Sequence, residues 1–172
     1  MIIEPRVRGF ICTTAHPAGC AANVREQISY VLRQGPIADC PKRVAVLGCS
    51  TGYGLASRIV STFAGGAETI GVSLEREPTA TRTASAGWYN NRAFEIEAGK
   101  IGRTPLTLEG DAFSDELKKT FIDRVREKFG QLDLLVYSMA APARTDPVTG
   151  KTYRSAIKPL GAPVEIKTLN TE

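Results

Sequence analysis

Val44-Ala45-Val46-Leu47-Gly48-Cys49-Ser50-Thr51-Gly52-Tyr53-Gly54 is an apolar run that ends in a glycine-rich turn and passes directly into a helix-like segment. Residues 44–47 are aliphatic throughout and do not alternate with polar residues. That pattern predicts a short parallel strand covered on both faces. In the Gly-x-x-x-Gly-x-Gly turn, Gly48 permits the sharp exit from the strand. Gly52 lets backbone N–H groups approach a pyrophosphate, and Gly54 lets the new helix pack against the sheet. The helix N-terminus adds unpaired donors and partial positive charge. The first reading is therefore a dinucleotide site, with a tight strand-to-helix packing corner as the alternative, because glycine spacing alone is weak evidence.

The following strand adds partly independent support for the dinucleotide reading. After a crossover helix with Leu55, Ile59 and Phe63 at four-residue spacing, Gly65-Gly66 breaks the chain, and Thr69–Leu74 reads as a second strand ending at Glu75. An acidic residue at that position accepts hydrogen bonds from the adenosine ribose of NAD, and it is expected about 20 residues past the glycine turn. Glu75 lies 23 residues after Gly52. A 2′-phosphate at the same place would meet the carboxylate with a repulsion of about 4 kcal/mol at 4 Å and an effective dielectric of about 20. NADH is therefore the expected cofactor in preference to NADPH. Arg76 is either a cation that turns toward a 2′-phosphate or a solvated loop residue.

Around this unit, Val24, Ile28, Val31 and Leu32 mark one helical face before the first strand, with Asn23 as cap, Glu26 at capping-box spacing and Gly35-Pro36 as stop. The nucleotide-binding domain is thus expected to cover 42–172, with 1–41 as an N-terminal extension packed on it. Residues 76–103 form a long connection carrying Trp88-Tyr89 and a helical stretch from Asn91 to Ala98. A third strand is predicted over Thr104–Leu108. Asp111 follows it, placed either to accept from an adenine amino group or to act as a turn residue. Ser114 caps a helix with Leu117, Phe121, Val125 and Phe129 on one face, closed by Gly130. The fourth strand is Leu132–Ala140. This succession predicts a Rossmann-like, doubly wound α/β half-sheet of order 3-2-1-4, with Gly48–Tyr53 on one wall of the switch-point cleft and Ser138–Ala141 on the other. From Pro142 to Glu172 there are four prolines, two glycines and no convincing helix. The apolar fourth strand would then lie at an edge, and the chain is expected to be incomplete as an enzyme.

Composition narrows the class further. In 172 residues the net charge is +4, with 42% hydrophobic and 23% charged residues, as in an ordinary soluble domain. Lys and Arg are scattered, so no nucleic-acid stripe is expected. No run approaches the roughly 18 apolar residues of a membrane span, and the first ten residues interrupt any signal peptide with charges and a proline. A soluble, cytoplasmic protein is expected. Cys12, Cys20, Cys40 and Cys49 form no Cys-x-x-Cys pair and His16 is the single histidine, so a zinc site is not expected and the thiols read as reduced. Cys49 alone is placed where helix N–H groups would lower a thiol pKa.

Several long stretches, in order, resemble the trans-2-enoyl-CoA reductase family, including its FabV-type enoyl-acyl carrier protein reductases. They are MIIEPRVRGFICTTAHPAGC (1–20), Gly48–Gly54, Ala86-Gly87-Trp88-Tyr89-Asn90, Gly110-Asp111-Ala112-Phe113-Ser114 and Arg144-Thr145-Asp146-Pro147. The resemblance implies NADH contacts at Gly48, Cys49, Ser50, Thr51, Gly52, Tyr53, Leu74, Glu75, Asp111, Ala112, Met139 and Ala140. It also implies hydride transfer from NADH to the β-carbon of an enoyl-CoA or enoyl-acyl carrier protein in fatty acid biosynthesis. A tyrosine is expected to donate the proton, with a lysine nine positions later. No tyrosine here has that partner: Tyr30, Tyr53, Tyr89, Tyr137 and Tyr153 lead to Asp39, Thr62, Ala98, Asp146 and Ala162. The chain therefore reads as the N-terminal NADH-binding portion of such a reductase, without a catalytic residue of its own. A stand-alone NAD-binding module and a piece of an ordinary short-chain dehydrogenase are the alternatives.

Overall fold

A computed structural model describes residues 5–9, 11–155, 160–162, 165 and 167. A short antiparallel pair, β1 (Val7–Arg8) and β2 (Ile11–Cys12), leads into helix α1 (Pro17–Gln34). The helix begins well before the expected cap at Asn23. His16 is the N-cap, its Nδ1 accepting from the Gly19 N–H at 3.0 Å, and Pro17 follows at a position where no N–H is needed. Asn23 instead lies inside the helix, accepting from Gln27 Nε2 at 2.6 Å. Gly35 ends the helix. Leu32, expected on the apolar face, is 56% exposed, whereas Val24 and Ile28 are buried.

The central sheet is wholly parallel, in the order β5-β4-β3-β6. Its strands are β3 (Arg43–Leu47), β4 (Glu68–Ser73), β5 (Leu106–Glu109) and β6 (Leu134–Tyr137). This is the predicted 3-2-1-4 arrangement, with β3 and β4 at its centre. Val44, Ala45 and Val46 have no exposed surface, consistent with a central strand covered on both faces. β3 passes into α2 (Gly52–Ile59), which continues as a π-helical turn over Val60–Ala64. α3 (Ala86–Lys100) is longer than the predicted stretch, because Ser85 starts it and Trp88-Tyr89 lies in its first turn. α4 (Asp115–Phe129) starts at Ser114, whose Oγ accepts from the Leu117 N–H at 3.2 Å. A final antiparallel pair joins β7 (Ala143–Thr145) to β8 (Thr152–Arg154).

One core cluster joins Val24 and Ile28 of α1 to Leu55 and Ile59 of α2 and to Ala93, Phe94 and Ala98 of α3. Phe63 meets Phe94 edge-on at 6.1 Å. The residues before Lys42 thus supply part of the same core. The other cluster contains Val44, Val46, Cys49 and Ala67, with Val136 against it. β6 pairs with β3 alone among the described residues, and Leu135 and Tyr137 are half or more exposed.

Asp133 fixes where β6 begins against β3. Its Oδ2 accepts from the Lys42 and Arg43 N–H groups at 3.1 and 3.0 Å, and Oδ1 receives the Arg43 guanidinium at 2.5 Å. The Arg43 side chain is the largest cause holding the Asp133 carboxyl down at about 2. Because this folded-state pKa lies below that of an unfolded Asp, the link stabilises the fold above about pH 4 and is lost as the pH falls through about 2. Asp133→Asn is therefore expected to flatten the acid limb of stability between those values, with little change in its shape near neutrality. Urea melts of both proteins across that range measure the effect.

Candidate functional site

The carboxyl ends of β3, β4 and β6 open onto a cavity of about 430 Å³. Its floor is set by backbone contact. Gly48 has φ +82°, and a Cβ there would overlap the Ser138 carbonyl and lie 3.1 Å from Met139 Cγ. A Cβ on Gly54 would overlap the Gly48 carbonyl. The two glycines therefore let α2 start directly beneath the end of β3 while the chain leaving β6 crosses beside it. No side chain caps α2 at Thr51, so the N–H donors of its first turn stay available on the wall that Ser50 and Thr51 line.

Of the residues expected at the site, Gly48, Ser50, Thr51, Leu74, Asp111, Ala112, Met139 and Ala140 line this cavity. Gly52 and Tyr53 lie on the adjoining turn outside its lining, with Tyr53 88% exposed. Glu75 sits behind the rim, half-buried, with Oε1 accepting from Ser50 Oγ at 2.6 Å and Oε2 accepting from Ser85 Oγ. Asp111 makes a local turn, its Oδ1 accepting from the Phe113 N–H at 2.9 Å. Phe113, Val72, Ser73 and Gly110 also line the cavity. Gly110 and Phe113 fall inside the stretch 110–114 that carries the family resemblance, and Val72 and Ser73 inside the second strand, but none of the four was singled out as a contact.

Cys49 departs from expectation. Its N–H donates to the Val72 carbonyl at 3.1 Å, and its thiol, fully buried, points to Asn91 Oδ1 and Arg58 Nη1, each at 3.6 Å. Burial pushes the thiol above its ordinary range and outweighs the opposing charge of Arg58. The expected lowering by helix donors does not occur, because the side chain lies beneath the sheet end rather than in the turn.

Below the cavity runs a polar network that sequence reasoning missed. Arg58 has no exposed surface. Its guanidinium donates to Thr69 Oγ1 at 3.2 Å, Thr107 Oγ1 at 2.9 Å and the Leu106 carbonyl at 2.8 Å, and it lies 4.5 Å from the Phe94 ring. Burial lowers its pKa, opposed by Cys49, Glu95 and Glu109. Asn91 bridges Ser73 Oγ at 2.9 Å and Glu109 Oε1 at 3.2 Å, and Asn90 donates to the Ser50 carbonyl at 3.0 Å. The one available signal was an arginine three residues after Leu55, inside the apolar stripe of α2. Among the described residues no group of three or more His, Cys, Asp or Glu is placed to hold a metal ion, and no helix is long and apolar enough to cross a membrane.

A parallel sheet of this order, with a cleft where the strand order reverses and a glycine turn feeding a helix at its floor, defines a Rossmann-like α/β protein. Residues 2–80 match the NAD(P)H binding domain of trans-2-enoyl-CoA reductase, and residues 82–172 match the trans-2-enoyl-CoA reductase catalytic region. The chain belongs to the trans-2-enoyl-CoA reductase family. It is 56% identical over all its residues to enoyl-[acyl-carrier-protein] reductases [NADH] of Burkholderia pseudomallei and Burkholderia mallei, and it spans 43% of their length. It also superimposes on the crystal structure of Treponema denticola trans-2-enoyl-CoA reductase in complex with NAD, with a TM-score of 0.87 and 48% identity. That match covers 94% of this chain and 42% of the other. The Clostridium acetobutulicum enzyme in complex with NADH gives a TM-score of 0.86 at 41% identity, over 94% of this chain and 41% of that one.

The buried guanidinium makes the network testable through stability. Arg58→Met would leave the Leu106 carbonyl and the Thr69 hydroxyl beneath the sheet without their donor, at about 1–3 kcal/mol for each group left unsatisfied, while Thr107 keeps its bond to Glu95 Oε1. A net loss of about 3 kcal/mol is expected in urea unfolding, with the slope of the transition unchanged.

Proposed function

We propose that this chain is the NADH-holding portion of an enoyl-thioester reductase. The observation that carries the reading is the floor at Gly48 and Gly54, where any Cβ would meet backbone, in line with the carboxylate of Glu75 at the end of the next strand. That arrangement fits a dinucleotide. Gly48, Cys49, Ser50, Thr51, Gly52 and Tyr53 supply the pyrophosphate turn, in which Cys49 contributes backbone only. Leu74 and Glu75 take the adenosine ribose, Asp111 and Ala112 the adenine, and Met139 and Ala140 the opposite wall toward the nicotinamide. Asp111 keeps Oδ1 on the Phe113 N–H, which leaves Oδ2 to accept from the adenine amino group.

The cofactor, when bound, supplies hydride to the β-carbon of the enoyl thioester. The residues of this chain hold and orient it, and Glu75 rejects a 2′-phosphate by like charge. None of its tyrosines has a lysine nine positions later, so the proton donor is assigned to the part of the relatives' length that this chain does not span. The substrate is an enoyl-CoA or enoyl-acyl carrier protein in fatty acid biosynthesis. The residues before Lys42 act as an extension that braces α2 and α3.

Calorimetric titration of the chain is expected to show NADH binding, and the chain mixed with NADH and crotonyl-CoA is expected to oxidise NADH no faster than buffer. Absence of binding overturns the cofactor reading, and clear turnover overturns the absence of an acid. Asp111→Asn keeps an oxygen for the Phe113 turn but turns an amide donor toward the adenine amino group. It is expected to weaken NADH binding about 3- to 10-fold, in line with one lost hydrogen bond.

A further inference from the structure

Glu75 is not a free side chain. Both carboxylate oxygens receive serine hydroxyls, Oε1 from Ser50 Oγ at 2.6 Å and Oε2 from Ser85 Oγ. Ser85 is itself fixed from the other side, because its Oγ accepts from the Arg76 N–H at 2.9 Å and its N–H donates to the Arg76 carbonyl at 3.0 Å. Its one hydroxyl hydrogen goes to Glu75 Oε2, much the shorter of the two contacts open to it, rather than to the Arg76 carbonyl at 3.4 Å. Ser85 is the N-cap residue of α3 by position, yet its side chain makes no capping bond to that helix. Its hydroxyl serves Glu75 instead.

The space around the carboxylate is closed as well. A Cβ on Gly87 would overlap Glu75 Oε1 and Cδ and stand 2.8 Å from the Ser50 Cβ. The Glu75 N–H donates to Glu109 Oε2 at 3.3 Å, and the same oxygen takes the Ser73 hydroxyl at 2.9 Å. Residues 76–85 close on themselves through the Arg76–Ser85 exchange and a bridge between Thr79 and Arg82. The connection that looked long in sequence is a loop tied at its base around one carboxylate.

We propose that Ser85 is a positioning residue that sets cofactor selectivity by holding the Glu75 carboxylate in place against a 2′-phosphate; this rests on the NADH reading above. An untethered glutamate relieves repulsion by rotating into solvent, at the small cost of a rotamer change. A glutamate held by two charge-assisted hydrogen bonds must break one of them to do so. The tether therefore turns a weak electrostatic preference into a strong one, and it also keeps the carboxylate aimed for ribose hydroxyls.

The test is the ratio of dissociation constants for NADPH and NADH, measured by calorimetry on the whole chain. Ser85→Ala is expected to lower that ratio about 5- to 10-fold, below the full worth of one charge-assisted hydrogen bond because the Ser50 bond to the other oxygen remains. Ser85→Cys, which keeps the volume and weakens the donor, is expected to move it in the same direction, and Ser85→Thr to restore it. In a Glu75→Gln background, Ser85→Ala is expected to leave the ratio unchanged, as a cycle of two coupled residues requires. A merely structural role would weaken both cofactors alike. A ratio unmoved by Ser85→Ala and Ser85→Cys, or moved equally in the Glu75→Gln background, overturns the proposal. If the wild-type chain binds neither cofactor, the NADH reading fails, and the proposal with it.

Discussion

Backbone against backbone, at Gly48 and Gly54, is the constraint on which the rest of this molecule is arranged. α2 starts beneath the end of β3 only because nothing projects from Gly54 toward the Gly48 carbonyl, and β6 delivers Ser138 beside Gly48 only because nothing projects there either. A methyl group at either place would push one element away by a distance that close-packed interiors cannot absorb without wider rearrangement. The cleft is the space left above this contact. Its depth and its two walls follow from how closely three pieces of main chain approach.

Beneath that contact the sheet carries an unusual amount of polarity. A parallel sheet packed under helices ordinarily presents aliphatic side chains, yet here Arg58, Thr69, Asn91, Ser73 and Glu109 share one side of β4 and β5. Each group finds a partner, as low-dielectric surroundings require. The network reaches from α2 to the residues that hold Glu75, so the helix after the glycine turn and the strand end with the carboxylate are parts of one braced structure. α3 completes the bracing, since Asn90 holds the Ser50 carbonyl while Phe94 packs against α1 and α2.

Much of this was legible in the residues. The glycine turn, the carboxylate one strand later and the order of strands follow from local rules with narrow geometric meaning, and the sheet obeys them. Element ends were less legible. α1 begins at His16 because a histidine nitrogen caps it and Pro17 fits its first turn, whereas the small residues between Ala18 and Ala22 show no apolar period. α3 extends past its predicted limits because its buried face is built from Gly87, Asn90, Asn91, Ala93 and Phe94, a mixture that hydropathy does not register. The environments of Arg58 and Cys49 were illegible for a similar reason: both depend on which side of the sheet a residue faces after the turn, and that is settled by tertiary packing.

The position of Cys49 has a chemical consequence for the cell that makes the protein. Oxidants and electrophiles attack thiolates, and of the four thiols Cys12 is exposed, Cys20 and Cys40 are partly covered and Cys49 is sealed under the glycine turn with its proton held more tightly than usual. A sulfur that belongs by sequence to the glycine turn is thereby shielded from the redox chemistry of its surroundings. A reagent reaches a fully buried thiol only through local opening of the structure around it, so the rate of Cys49 alkylation is a clock for how often that packing opens.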